Sequence, residues 1–173
     1  KMLVGDDASL YQRRGRSGLD LKDEALIDAW DHLRDEVGDR SDWLIASYNG
    51  NQALTLEAVG IGGFDVLKKH FASDRVQYGA LRISAEKGGV RGSKLVSFNW
   101  IGDDVSGMAR ARVAMHRSAV DNFFEGTVAS LSFAGHEDIS DKAYIKKQIA
   151  ETAQLQEVEL SPVNSSKSQQ AGE

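Results

Sequence analysis

Residues able to do acid–base, nucleophilic or metal chemistry are present in this chain, but their spacing does not assemble a site. The four histidines, His32, His70, His116 and His136, form neither a His-x-His nor a His-Glu-x-x-His pattern. His32 and His116 fall on helical patterns, where a solvated or half-buried role is expected rather than metal ligation. His136-Glu137-Asp138 puts three possible ligands side by side, and adjacent side chains rarely converge on one ion. Gly60-Ile61-Gly62-Gly63 ahead of a short helix could offer bare amides to an anion. It lacks the Lys-Ser/Thr ending of a phosphate loop and the spacing of a dinucleotide fingerprint, so it reads as a turn. Asp103-Asp104 reads as the start of a helix, favoured by the positive N-terminus, rather than as a carboxylate pair for catalysis. There is no cysteine and no serine in a Gly-x-Ser-x-Gly setting. The expectation is a protein that is not an enzyme and uses no metal or cofactor.

Charge is more informative. The chain of 173 residues carries a net −5, yet the segment from Lys87 to Arg117 holds Lys87, Arg91, Lys94, Arg110, Arg112 and Arg117 against only Asp103 and Asp104. A basic island in an acidic protein suits an acidic protein partner, an anionic lipid head group such as a phosphoinositide, or nucleic acid. Nucleic acid would also need exposed aromatic platforms, and Trp100 is the one aromatic close by. Arg110 and Arg117 are seven apart and share a helical stripe with Asp121, whereas Arg112 lies about 200° around the helix from Arg110.

The elements that must carry this island follow from apolar period and turn chemistry. Leu26, Trp30, Leu33 and Val37 mark a first helix with Asp20 as its cap and Gly38 as its stop. Two strands, 43–48 and 53–59, flank Asn49-Gly50-Asn51, a hairpin signal. A short helix spans 64–71, and strands 76–85 and 94–101 are joined by a loop holding Gly88-Gly89. The longest helix spans 106–125, a last strand 128–133, and a last helix runs from its cap Ser140 to about 154. Strands joined by short turns should pair antiparallel, and a strand reached through the long helix should lie parallel to its neighbour. The fold class is therefore α/β, a mixed, mainly antiparallel central sheet sandwiched between helices.

Residues 1–18 have no apolar period and carry Arg13, Arg14 and Arg16, so they read as a flexible basic arm. Residues 19–156 read as the folded domain, and the acidic, Ser-, Gln- and Gly-containing stretch 157–173 as a disordered tail. No apolar run is long enough to span a membrane, and the expectation is a cytoplasmic monomer.

The stretch from Trp100 to Arg112 resembles the coactosins, a branch of the actin-depolymerising factor homology family: Trp100-Ile101-Gly102, then Val105-Ser106-Gly107, then a helix with Arg110 and Arg112. Leu33-Arg34-Asp35, Trp43, Tyr48-Asn49-Gly50 and Ser93-Lys94 agree in order, over about residues 19–154. The resemblance implies a cytoskeletal protein that binds actin filaments without catalysis, through basic contacts from Lys94, Arg91, Arg110 and Arg112. Lys87 and Arg117 extend that basic surface on charge alone. Cofilin-like monomer binding or severing is the alternative that the same family offers. Gly92 stands where coactosins tend to have another basic residue, and Ala150-Glu151-Thr152 where relatives are lysine-rich. Ser17-Gly18-Leu19, with Asp23-Glu24 beyond it, resembles the cofilin start, which implies a phosphorylation site at Ser17 that tunes actin affinity.

Overall fold

The computed structural model describes residues 18–35 and 41–162. Residues 1–17 of the expected arm 1–18, Ser17 among them, the stop residue Gly38 and residues 163–173 lie outside them.

Helix α1, Glu24–Arg34, begins three residues later than Asp20 would place it. Its cap is Asp23, whose carboxylate accepts from the Leu26 amide at 3.2 Å and from the Leu56 amide at 2.9 Å. One side chain thus satisfies an orphan amide of the helix and ties that helix to a strand. Asp20 instead exchanges backbone hydrogen bonds across to Gln52 and Leu54. Strands β1, Trp43–Asn49, and β2, Ala53–Gly60, form the expected hairpin, with Gly50 at φ 74° in its turn. The glycine turn after β2 opens helix α2, Gly63–Leu67, and the Gly62 and Gly63 amides each donate to the Asp42 carboxylate at 2.9 Å. The chain supplies its own anion there.

Strands β3, Val76–Lys87, and β4, Val90–Ile101, are longer than their apolar patterns suggest. Gly88 and Gly89, at φ 60° and 80°, form a two-residue turn, so the ladder runs without a break to Lys87 opposite Val90. Helix α3, Gly107–Phe123, is capped by Ser106, whose hydroxyl accepts from the Ala109 amide at 3.2 Å. Asp103 and Asp104 are therefore not its cap; a serine one residue before the helix has the geometry they lack. Strand β5, Ala129–Ala134, lies parallel to β4, as a strand reached through a helix should. Helix α4, Lys142–Ala153, is capped by Asp141 rather than Ser140, which donates its hydroxyl to the Glu137 carbonyl.

The chain then adds a strand where a disordered tail was expected. Strand β6, Glu157–Glu159, pairs antiparallel with β3. Val158 and Leu160 are each 5% exposed, and the Leu160 carbonyl accepts from the Phe64 amide at 2.9 Å. Two alternating apolar residues suffice because the groove they fill is built by distant parts of the chain, which local composition does not reveal.

The sheet runs β2-β1-β3-β4-β5, with β6 also on β3. Helices cover both faces, so the expected sandwich of a mixed sheet between helices is what forms. One core, under α2 and α4, joins Trp43, Phe64, Phe71, Phe98, Trp100 and Phe133. The other, under α1 and α3, joins Leu26, Trp30, Leu44, Tyr78, Val120 and Phe124. Trp100 is fully buried, stacked on Phe71 with centroids 4.7 Å apart, and donates its indole N–H to the Ala72 carbonyl at 2.7 Å. It is no platform for a base.

Leu160→Ala should lower stability by about 2–4 kcal/mol, the usual cost of emptying a buried leucine site. Urea denaturation followed by tryptophan fluorescence would measure it; a loss below about 0.5 kcal/mol would return the segment to the status of a loose tail.

Candidate functional site

Helix α3 buries Val113, His116 and Val120 against the sheet, which fixes where every other side chain on it points. Arg110 and Arg117 fall on the flank above β4 and β5, where they border a groove floored by Ser97, Asn99, Ser130 and Ser132. Arg112 falls on the opposite flank, its guanidinium 5.9 Å from the centre of the Tyr48 ring. The three arginines of the helix therefore serve two sides. Arg110 is also folded back, its Nε donating to the Val105 carbonyl and its Nη2 to the Gly102 carbonyl, both at 3.3 Å. It braces the turn that brings β4 into α3.

The hairpin residues divide as well. Lys87 is exposed at the end of β3, and Val90 beside the turn is 72% exposed. Arg91 is not free: its Nη2 lies 3.2 Å from a Glu157 carboxylate oxygen on β6, and its Nη1 donates to the Ser84 hydroxyl at 3.4 Å. The strand that replaced the expected tail thus neutralises part of the basic island. Lys94 is half-buried opposite Ile83, on the sheet face of Val96 and Phe98 and away from α3. The six basic residues do not make one continuous patch. They form a hairpin group, an Arg112 flank and an Arg110–Arg117 flank.

Two residues escaped a reading led by charge. Met108 and Met115 are 78% and 65% exposed on α3. They are seven residues apart and lie within about 60° of Arg112 around the helix. The signal was present in the sequence: both face away from Val113, His116 and Val120, so a helical projection of the apolar residues would have set them apart. An exposed pair of flexible, polarisable side chains beside a cation is a contact surface suited to a protein partner.

Beneath Arg112 runs a polar chain that the sequence hid. The Tyr48 hydroxyl sits 2.9 Å from the Tyr78 hydroxyl and 2.8 Å from Nδ1 of His116. His116 is 2% exposed, more deeply buried than the half-solvated helix histidine expected, because it lies in the seam between α3, β1 and β3. Burial raises the phenol of Tyr78 far above its ordinary range, helped by its bond to Tyr48. Burial also raises Tyr48, opposed by its bond to Tyr78 and by the Arg112 charge. Both phenols stay protonated and neutral, so the seam holds α3 to the sheet through hydrogen bonds.

His136 lies edge-on to Trp100 at 4.9 Å and 3.8 Å from Asp103, while Asp138 accepts from the Ala134 amide at 2.7 Å. These side chains have structural partners, and among the described residues no three possible ligands converge on one point. No described helix is long and apolar enough to cross a membrane.

A family model described as cofilin/tropomyosin-type actin-binding protein matches residues 18–149. The chain belongs to that family. It is 25% identical to coactosin of Dictyostelium discoideum over 130 residues, covering 74% of this chain and 88% of the relative. Among solved structures it is similar to coactosin from Entamoeba histolytica, with a TM-score of 0.70 at 20% identity, covering 79% of this chain and 97% of the other. It is also similar to mouse coactosin, described as an actin filament binding protein, with a TM-score of 0.64 at 19% identity, covering 78% and 92% of the two chains. The coactosin resemblance seen from Trp100 to Arg112 and the sandwich fold agree with these likenesses.

Tyr48→Phe would remove the hydroxyl shared by Tyr78 and His116 without changing shape. It should cost about 1–3 kcal/mol of stability, measurable by chemical denaturation. An unchanged midpoint would mean that this chain of hydrogen bonds does not anchor the helix.

Proposed function

We propose that this chain is a non-catalytic, cytoplasmic regulator of the cytoskeleton that binds actin, filaments in preference to monomers. The observation that carries the reading is the outward face of α3, where exposed Met108 and Met115 flank Arg112 in a chain of the cofilin/tropomyosin-type actin-binding family. Lys87 and Lys94, with Arg91 as a partly neutralised neighbour, extend the contact along the β3–β4 hairpin. Arg110 and Arg117 add to the positive field of the helix. Likeness to coactosins, one of them described as a filament-binding protein, supports the filament preference. The domain acts as a monomer and needs no cofactor. Basic side chains steer it to an acidic partner, and the methionines supply the apolar contact that slows release. Phosphoinositides would compete for the same cations. Phosphorylation at Ser17 would add roughly −1.5 to −2 charge to the basic arm and weaken the complex.

Co-sedimentation with actin filaments over a salt series, with monomer binding measured in parallel, tests this reading. The protein should pellet with filaments, with affinity falling as salt rises. Lys87→Ala, Lys94→Ala and Arg112→Ala combined should weaken binding about ten-fold; Lys87 is exposed and Lys94 and Arg112 are half-buried, so a thermal unfolding midpoint measured in parallel should show a domain that is still folded. Met108→Ala with Met115→Ala should weaken it at every salt concentration. Tighter binding to monomers than to filaments would favour the cofilin-like alternative. Ser17→Glu should bind several-fold more weakly than Ser17→Ala, and equal affinities would remove Ser17 from the mechanism.

A further inference from the structure

The face of the sheet beneath α3 changes character across its width. Under the helix it is apolar, with Leu44, Ala46 and Ala80 in the core. At β4 and β5 it becomes polar: Ser97 stands opposite Ser130, and Asn99 opposite Ser132. In register on adjacent strands, these four make a two-by-two array with neighbours about 5 Å apart across the strands and about 7 Å apart along them. Helix α3 does not extend over them, and a groove of about 250 Å³ is left between helix and sheet edge. Arg110 and Arg117 stand on its helical wall about 10 Å apart, with the small side chain of Ala114 between them.

We propose that this groove is a binding site for a small soluble phosphate monoester. The donors line the groove from three elements, α3, β4 and β5. Arg117 forms no ion pair with any described acidic group, and the hydroxyls of Ser97 and Ser130 make no hydrogen bond among the described residues. Ser132 accepts from the Asn99 amide at 3.0 Å, which leaves its own O–H to donate. A planar guanidinium above hydroxyl donors is the chemistry that holds a tetrahedral oxyanion. The volume lies below the roughly 300–1,000 Å³ of sites that take larger ligands, which suits a small molecule. Asp121 lines the same groove and opposes an anion, so it limits affinity. A membrane head group fits less well. Arg112 leaves the opposite flank of the helix and the hairpin lysines lie elsewhere, so no further cation would hold a bilayer against this groove.

The site is separate from the Met108–Arg112–Met115 surface, and its test does not involve actin. Backbone amide shifts of the whole chain would be followed by nuclear magnetic resonance during titration with inorganic phosphate and with glycerol 3-phosphate. In parallel, neutral vesicles with and without a phosphoinositide would be tested for binding. Saturable shifts centred on Ser97, Asn99, Arg117, Ser130 and Ser132 are expected. Arg117→Ala should weaken binding about ten-fold or more, the effect of losing one charge-assisted contact. Asp121→Asn should tighten it several-fold, and Arg112→Ala, on the other flank, should leave it unchanged. Equal affinity in the Arg117→Ala variant, shifts centred elsewhere, or binding seen only with phosphoinositide vesicles would overturn the proposal.

Discussion

Strand β3 must find hydrogen-bond partners along both of its edges, and the rest of the molecule follows from how it does so. It is twelve residues long and its first ten are buried, so an unpaired amide or carbonyl there would cost far more than one in water. On one edge β4 supplies an unbroken ladder from Val76–Ile101 to Lys87–Val90. The other edge is too long for β1, which reaches from Gln77 to Leu81. Three separate pieces complete it. The Arg82 amide donates to the Asp42 carbonyl at 2.7 Å, β6 pairs with residues Ser84 to Glu86, and the Gln156 amide donates to the Glu86 carbonyl at 2.8 Å. Asp42 also holds Gly62 and Gly63 through its carboxylate, so one residue fixes both the ladder and the entry to α2.

This arrangement sets the electrostatics of the surface. Because β6 is drawn in to finish the edge of β3, Glu157 arrives beside Arg91 and Glu159 beside Lys146. A count along the chain made residues 87–117 strongly basic. In three dimensions the hairpin's share is tempered by an acid more than sixty residues away in sequence. Exposed ion pairs of this kind add little to stability, but they do change which cations remain available to a partner.

The same logic separates the flanks of α3. Its buried stripe is set by Val113, His116 and Val120, and the Tyr48–Tyr78–His116 chain pins that stripe over β1 and β3. Once the stripe is fixed, Arg112 must lean toward Tyr48, and Arg110 and Arg117 toward β5. Met108 and Met115 are left outside with no core to enter. Exposed methionines beside Arg112 on one flank and a serine-floored groove on the other are consequences of one helix covering only part of the sheet.

Much of this was legible in the sequence. Turn chemistry at Asn49-Gly50 and Gly88-Gly89, helical period in Leu26, Trp30 and Leu33, and the long connection through α3 determined the element order, the hairpins and the parallel β4–β5 pair, because these are local preferences that tertiary packing reinforces. The Trp100–Arg112 stretch carried the family. The caps were not decided locally: several acids and serines near each helix start compete, and Asp23, Ser106 and Asp141 prevailed over Asp20, Asp103-Asp104 and Ser140 by their position relative to the amides. Only the tertiary structure turned Glu157–Glu159 into a strand, since a three-residue segment with one apolar side chain has no preference of its own until β3 offers it an edge. Only the tertiary structure could divide six basic residues into three groups, because direction in space depends on which face of each element the core has claimed.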